Sequence, residues 1–442
     1  MEGQSVNSTM PKPAEQLRTA TNSEQFNLHE ATEALPQQIQ KNKAVVGRIS
    51  HSSYPNGPRS GYKKGGNTEF EISIQNAQQM HVKSGCLCGD VTFTDAAVGT
   101  TTTTFTGAHT MFNSFSMTLD GKKIVDLQQH ADRVADFNLY TSSTKDQLDY
   151  TESLLGVGIL VKDTDTLSFR IPISLFGCDI GTVLPTGSIN NTLRLNFKLN
   201  DEPLKQLYKG SGTATPIAAQ VIEYNNLRFE ADYVELQPLV LNKMVNLIQS
   251  NNGLTIPYHA YFVDNRGLGQ AQSVLNQRIT LSYNNVISIA QLPYAAVVAD
   301  DNYYRKLKWA AGITANQIKN YLVNFEGSQY YNLNANGGQS GKASIAQSLI
   351  EATKTDSTVD GHGSAAVKDL ENYQVLSCSF IRSPSSLSPV IVDSGINARL
   401  FSSILTTSAD FSANITANLQ LTSVVKFTRR IVFKNSQLDI MS

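Results

Sequence analysis

Hydrophobic and polar positions alternate with a period of two over long stretches of this chain. From Thr192 to Leu199, the side chains of Leu193, Leu195, Phe197 and Leu199 are apolar, and Thr192, Arg194, Asn196 and Lys198 between them are polar. That period puts one row in a core and the other in water, which defines a strand. Upstream, Leu167-Ser168-Phe169-Arg170-Ile171 is cut by Pro172. Proline has no N–H for a ladder, so it closes a strand rather than sitting inside one. The loop between them is punctuated by Gly177, Gly181, Pro185 and Gly187. Strand, turn-rich loop, strand is the unit of a β-sandwich.

The same period recurs on either side. Phe70, Ile72 and Ile74 share a face, and so do Phe115, Met117 and Leu119, which run into Asp120-Gly121, a strong hairpin pair. Leu227 to Tyr233 alternates and ends near Pro238, where a domain boundary is expected. Further strands are expected at 256–263, 274–283, 285–292, 372–382 and 388–393. The longest alternation takes in Phe411, Ala413, Ile415, Ala417, Leu419, Leu421, Val425 and Phe427, with Ile431 and Phe433 extending it. Three helices are expected outside the sheets. One spans Lys145 to Leu155; one spans about Thr314 to Phe325, with Ile318, Leu322 and Phe325 facing in; the third spans about Lys342 to Thr353, with Ile345, Leu349 and Ile350. Long loops between strands are where such helices belong.

Length and charge refine the picture. At 442 residues the chain exceeds one ordinary core, so two domains with appendages are expected. Charged residues make up 17%, against roughly 25% in an average soluble protein. Ser, Thr, Asn and Gln fill the deficit, a surface suited to packing against further copies of the chain. The formal charge of −1 removes any whole-protein argument for nucleic-acid binding. No window is long and apolar enough for a transmembrane helix. Cys86 and Cys88 are too close to staple a long loop, Cys178 and Cys378 stand alone, and no secretory h-region opens the chain, so reduced thiols and synthesis in the cell interior are expected.

The first 64 residues differ from the rest. Residues 1–40 hold Lys12 and Arg18 against Glu2, Glu15, Glu24, Glu30 and Glu33, so 2 − 5 = −3, whereas residues 41–64 hold Lys41, Lys43, Arg48, Arg59, Lys63 and Lys64 with no acid, so +6. Leu28, Ala31, Leu35 and Ile39 recur at helical spacing, but Pro36 ends or kinks any helix there. The basic part carries Pro55, Gly57, Pro58 and Gly61, runs into Gly65-Gly66 and reads as a flexible linker. The whole is expected to be an arm that docks on a neighbouring subunit, a membrane face or a layer beneath. Its charge supports at most a salt-sensitive, non-specific contact with nucleic acid, and Tyr54 and Tyr62 alone do not make a stacking surface.

Candidate chemistry is sparse. Tyr330 to Lys354 has the order of a phosphate-cradling loop: strand, NGGQSGKAS, helix. Gly341-Lys342 is present, but Asn336 stands where the first glycine belongs and Ala343 where the magnesium-binding hydroxyl belongs. A glycine-rich surface loop is the better reading. His81, Cys86 and Cys88 would need a second pair of ligands to hold zinc, so these are expected to be structural thiols. Asp163-Thr164-Asp165 and Asp300-Asp301 pair carboxylates as glycosidases do, yet they sit between strand-like segments, where aspartate makes turns. His109, His130, His259 and His362 accompany no G-x-S-x-G signature. No catalytic, cofactor-binding or metal-binding residue is therefore assigned.

Three segments in order carry a resemblance. Arg170-Ile171-Pro172 ends a strand, a short loop runs to Val183-Leu184-Pro185, and alternation follows from Leu193 to Leu199, with another alternating strand from Leu227 to Leu236. This resembles the first jelly roll of the double jelly-roll major capsid proteins found in adenovirus-like, polinton-like, virophage and large nucleocytoplasmic DNA viruses. The resemblance implies an all-β fold of two consecutive eight-stranded jelly-roll barrels with short helices in the loops. The implied division is an arm and linker at 1–64, a first barrel at 65–240 and a second at 241–442. It further implies a non-enzymatic capsid subunit of an icosahedral virion, homotrimeric with a pseudo-sixfold outline. Its partners would be copies of itself, penton and minor capsid proteins, and a membrane or inner layer under the arm, with no sequence-specific nucleic acid. The rival class is a β-sandwich receptor- or carbohydrate-binding protein with an aromatic groove, for which Tyr303, Tyr304, Trp309, Tyr330 and Tyr331 are the candidates.

Overall fold

The computed structural model describes residues 45–441 outside 76–77, 96–102, 142–144, 163, 179, 181–182, 189–191, 201–206, 210–219, 270, 296–317, 335–344, 346–347, 349–374, 381–394, 399–402, 412–413 and 416–417. Alternation becomes pairing throughout. The first half contributes β1 (Val45–Ser53), β2 (Glu69–Ile74), β3 (Gln79–Asp95), β4 (Phe112–Leu119), β5 (Lys122–Leu127), β6 (Thr166–Pro172), β7 (Leu193–Leu199) and β8 (Gln220–Leu236). The second contributes β9 (Leu254–Leu268), β10 (Val274–Leu281), β11 (Val286–Ala295), β12 (Ile318–Phe325), β13 (Ser328–Asn334), β14 (Leu376–Ser379), β15 (Ser403–Phe411) and β16 (Leu419–Lys434).

Sheet order shows the relation between the halves. The first half forms β1-β8-β3-β6 and β2-β7-β4-β5; the second forms β9-β16-β11-β14 and β10-β15-β12-β13. Counted within each run of eight, both read 1-8-3-6 and 2-7-4-5, the Greek-key wrapping of a jelly roll. No sheet among the described residues mixes strands of the two halves. The sheets are open and face one another instead of closing, so edges persist, β1 among them. Short strands add to this frame: Val183–Leu184 beside β3 and Gln437–Met441 beside β16.

Local chemistry explains the elements. In β7, Leu193, Leu195, Phe197 and Leu199 are buried and the residues between them are not. Phe197 lies opposite Phe70 on one side and Phe115 on the other. Asp120 (φ 48°) and Gly121 (φ 73°) turn β4 into β5. Glu326 (φ 49°) and Gly327 (φ 79°) do the same between β12 and β13. Two consecutive positive φ values match the twist of a tight hairpin. Pro172 ends β6 as expected, and Gly177 (φ 80°) caps the turn that follows. Among the described residues, α1 (Ala131–Thr141), α2 (Lys145–Leu155) and α3 (Pro238–Gln249) lie outside the sheets. No described helix is long and apolar enough to cross a membrane.

The cores differ in chemistry. In the first half Phe197 stacks on Phe70 at 5.0 Å and meets Phe112 at 4.9 Å and Phe115 at 5.0 Å, with Phe176 closing the cluster. In the second half the Gln291 amide donates toward Gln277 Oε1 (2.7 Å), Thr407 Oγ1 (2.9 Å) and Ser423 Oγ (2.9 Å). Ser423 donates to Gln277 Oε1 at 2.7 Å, and Gln277 donates to Asp264 Oδ2 at 2.6 Å.

Several expectations need correction. Residues 45–53, assigned to a flexible basic linker, form β1 and pair along β8, and Tyr62 is buried in the core. Residues 318–325, expected as the end of a helix, form β12, with Tyr321, Val323 and Phe325 buried and Leu322 turned away. The run from Phe411 to Phe433 is not one strand. It breaks between β15 and β16, which lie in different sheets. β15 itself, α1 and α3 had not been anticipated. The arm at 1–44, the strand at 388–393 and most of the helix at 342–353 lie outside the described residues, although Ile345 and Ser348 are helical and buried.

Candidate functional site

The residues singled out for chemistry do not converge. Cys86 and Cys88 point to the outer face of β3, opposite Glu230 and Arg228 of β8. Arg170 donates to Glu230 Oε2 at 2.5 Å and Arg228 to Oε1 at 2.7 Å. Burial raises the Glu230 pKa, but these two hydrogen bonds outweigh it and hold the carboxyl below its ordinary value. Burial pushes the Cys88 thiol up to about 12 and raises Cys86 as well. Both stay protonated near neutrality and are poor nucleophiles or metal ligands. Among the described residues no three His, Cys, Asp or Glu side chains gather as metal ligands would.

The remaining candidates scatter. Asp165 accepts from the Lys162 amide at 2.7 Å beside Thr164 (φ 68°), so it builds a turn. His109 is fully buried 3.4 Å from Asp136 of α1. Tyr330 and Tyr331, offered as walls of a sugar groove, pack against Phe325 and Tyr321. Tyr303, Tyr304, Trp309, Asp300, Asp301, His362 and the NGGQSGKAS loop lie outside the described residues.

What the fold does assemble is a seam between its halves. β5 of the first half lies against β9 and the short strand Gln437–Met441 of the second, and Arg429 of β16 reaches it. Tyr258 donates its hydroxyl to the Ile124 carbonyl at 2.8 Å, and Arg429 reaches the Lys123 and Ile124 carbonyls at 3.4 and 3.3 Å. Lys122 and Asp439 pair at 3.9 Å at the rim. A Cβ on Gly177 would clash with the Tyr261 ring, so this glycine also permits close approach of the halves. Beside these contacts lies a cavity of about 740 Å³ lined by Ile124–His130, Ala260–Asn265, Tyr283, Phe427 and Arg429. Tyr283 and Phe427 stack in it at 3.9 Å. Partly buried His259 lies near Lys426 and Lys83; burial first, then those two positive charges, hold its pKa well below the ordinary imidazole value. Sequence patterning missed this seam because its anchors are side chains meeting backbone carbonyls, which leave no residue signature.

Two halves that repeat one strand order in open, paired sheets make a double jelly roll, the fold expected from Ile171-Pro172 and Leu184-Pro185. No protein-family model and no curated protein matches the sequence. Solved structures do match. VP54 of PBCV-1, fitted into a reconstruction of the virophage Sputnik, is similar at 13% identity and a TM-score of 0.62, covering 90% of this chain and 96% of that one. The Faustovirus major capsid protein is similar at 9% identity and a TM-score of 0.57, covering 98% and 100%. The mavirus major capsid protein is similar at 10% identity and a TM-score of 0.50, covering 100% and 96%.

Proposed function

We propose that this chain is a viral major capsid protein whose work is self-assembly into the icosahedral shell of a virion. The observation that carries the reading is the repeated 1-8-3-6 and 2-7-4-5 strand order in one chain, whose fold is similar over nearly its whole length to capsid proteins. Two similar upright units in one polypeptide, associated three at a time, make a six-cornered block that tiles a surface. Obligate interfaces of that kind bury on the order of 2,000 Å² or more and are comparatively apolar. Penton and minor capsid proteins, and a membrane or inner layer met by the arm, are the further partners this role calls for. Light scattering of the purified protein tests it: the expected mass is three times 48.3 kDa, and a monomer that persists at high concentration overturns the reading.

A further inference from the structure

We propose that the cavity at the seam is a binding site for a small aromatic carboxylate, which lies against the Tyr283–Phe427 pair and sets its charge on Arg429. The site belongs to a single chain, goes beyond the capsid reading and does not depend on it. It spans the joint: Ile124 and its neighbours on β5 form one wall, and residues of β9 and β16 form the other. At about 740 Å³ it falls within the range of roughly 300–1,000 Å³ typical of small-molecule sites.

Register shows why space opens here. Alternate residues of a strand share a face, so Tyr258, Ala260, Phe262 and Asp264 form one row of β9. Across from them on β16 stand Arg429, Phe427, Val425 and Ser423. Tyr258 fills its place by reaching the Ile124 carbonyl. Ala260, next in the row, sets a single methyl opposite Phe427. The room that a larger side chain would take is left to the cavity. Tyr283 stacks on Phe427 there with ring centroids 3.9 Å apart and 18° between planes, and the Phe262 ring lies 5.8 Å from Tyr283. A flat apolar ligand gains both burial and ring contact in such a slot.

The charge of the ligand follows from Arg429, which stands two residues from Phe427 and borders the same cavity. Its Nη1 makes two long contacts, 3.4 and 3.3 Å, to the Lys123 and Ile124 carbonyls. Its Nε is buried without an acceptor, and no described acid pairs with it. A partly buried cation without a counter-ion is an unfavourable arrangement that an incoming anion relieves. The two acids of the lining do not relieve it. Asp126 is held through both oxygens by Lys123 at 3.0 Å, and by Gln128 at 3.3 Å. Asp264 takes the Gln277 amide and stands six positions along β9 from Tyr258, the partner of Arg429. That is roughly 20 Å at about 3.4 Å per residue. A carboxylate is planar and matches the guanidinium fork, whereas a cationic ligand would meet Arg429 unshielded.

Calorimetric titration of the full chain with 2-naphthoate, the neutral 2-naphthamide and the cationic 2-naphthylmethylammonium tests the site. The acid should bind one to one and saturate below millimolar concentration. The amide should bind about tenfold more weakly, the margin between a charge-assisted and a neutral hydrogen bond, and the ammonium should not bind. Ala260→Leu puts a side chain into the slot and should abolish binding of the acid while keeping a cooperative melt. Arg429→Gln keeps a donor without the charge and should level acid and amide by weakening the acid alone. Saturating 2-naphthoate should also raise the urea midpoint of the wild type and leave that of Ala260→Leu unchanged. No saturable binding by the wild type, equal affinity for acid and amide, or binding that survives Ala260→Leu overturns the proposal. Where a variant fails to fold, the comparison of acid with amide on the wild type still decides it. The trimer mass that tests the capsid reading is a separate measurement, so either reading can fail without the other.

Discussion

At place seven the first half carries Phe197, ringed by Phe70, Phe112 and Phe115, whereas the second half carries Thr407, bonded to the buried amide of Gln291. At place two the same exchange recurs, Phe70 against Gln277. One topology is thus filled by aromatic area in one copy and by amides and hydroxyls in the other. Strand order does not depend on which chemistry occupies the middle. It depends on pairing and on the turns, which are alike in both: the positive-φ pairs at Asp120-Gly121 and Glu326-Gly327 are the clearest instance. The cost of error differs, however. An apolar centre loses stability in proportion to area and cavity, while a polar centre loses it whenever one member leaves another unsatisfied.

The largest effect expected from this contrast is at Phe197. Phe197→Asp removes the ring that four others touch and puts a carboxyl in their place with no donor in the cluster. Loss of a buried Phe costs about 3–5 kcal/mol, and burying an unpaired carboxyl costs several more, together comparable to a domain's whole stability of about 5–15 kcal/mol. The expected outcome is insoluble protein or one without a cooperative melt; soluble, cooperatively melting Phe197→Asp would remove Phe197 from the core. A smaller effect, opposite in kind, is expected at Gln291. Gln291→Leu makes the second core more apolar yet should lower stability by about 1–3 kcal/mol, because Gln277, Thr407 and Ser423 each lose a buried partner. Urea titration checks it, and an unchanged or raised midpoint would mean that the two centres obey the same rule after all.

The same contrast explains what the sequence showed and what it hid. β2, β4, β6 and β7 were legible because their inward rows are large and apolar and their outward rows polar. β15 was not: its inward row sets Ser403, Thr407 and Ala409 between Leu405 and Phe411, and Thr407 bonds to Gln291, so the apolar alternation is interrupted. β1 was hidden for another reason. An edge strand exposed on both faces has no alternation to read, and its arginine and glycine imitate a linker. In β12 two periods coexist: Ile318, Leu322 and Phe325 fit a helix, while Tyr321, Val323 and Phe325 fit a strand, and pairing with β13 and β15 decides for the strand. The break between β15 and β16 was masked by apolar residues that continue the alternation through the connection. Of the functional surface, the seam left no mark, since a carbonyl acceptor such as that of Ile124 has no side-chain identity.

The smallest expected effect concerns pH and separates the seam from the aromatic centre. No titratable group lies among Phe70, Phe112, Phe115, Phe176 and Phe197, so mild acid has nothing to act on there. His259 on β9 is different: burial and the charges of Lys426 on the neighbouring β16 and Lys83 on β3 keep it neutral in the folded protein. Its folded pKa lies below the ordinary value of about 6.5. At pH values between the two, the unfolded chain holds a proton that the folded chain does not. Stability is therefore complete above about pH 6.5 and declines as pH falls below it, by at most about 1.4 kcal/mol per pH unit for one proton. His259→Gln keeps a neutral polar side chain and should flatten that acid limb while leaving the midpoint near pH 7.5 close to wild type. Urea midpoints for both proteins at about pH 7.5, 6.5 and 5.5 make the measurement. Parallel curves would show that His259 takes up its proton at no cost in the folded state, and that the seam is as indifferent to acid as the cluster of rings.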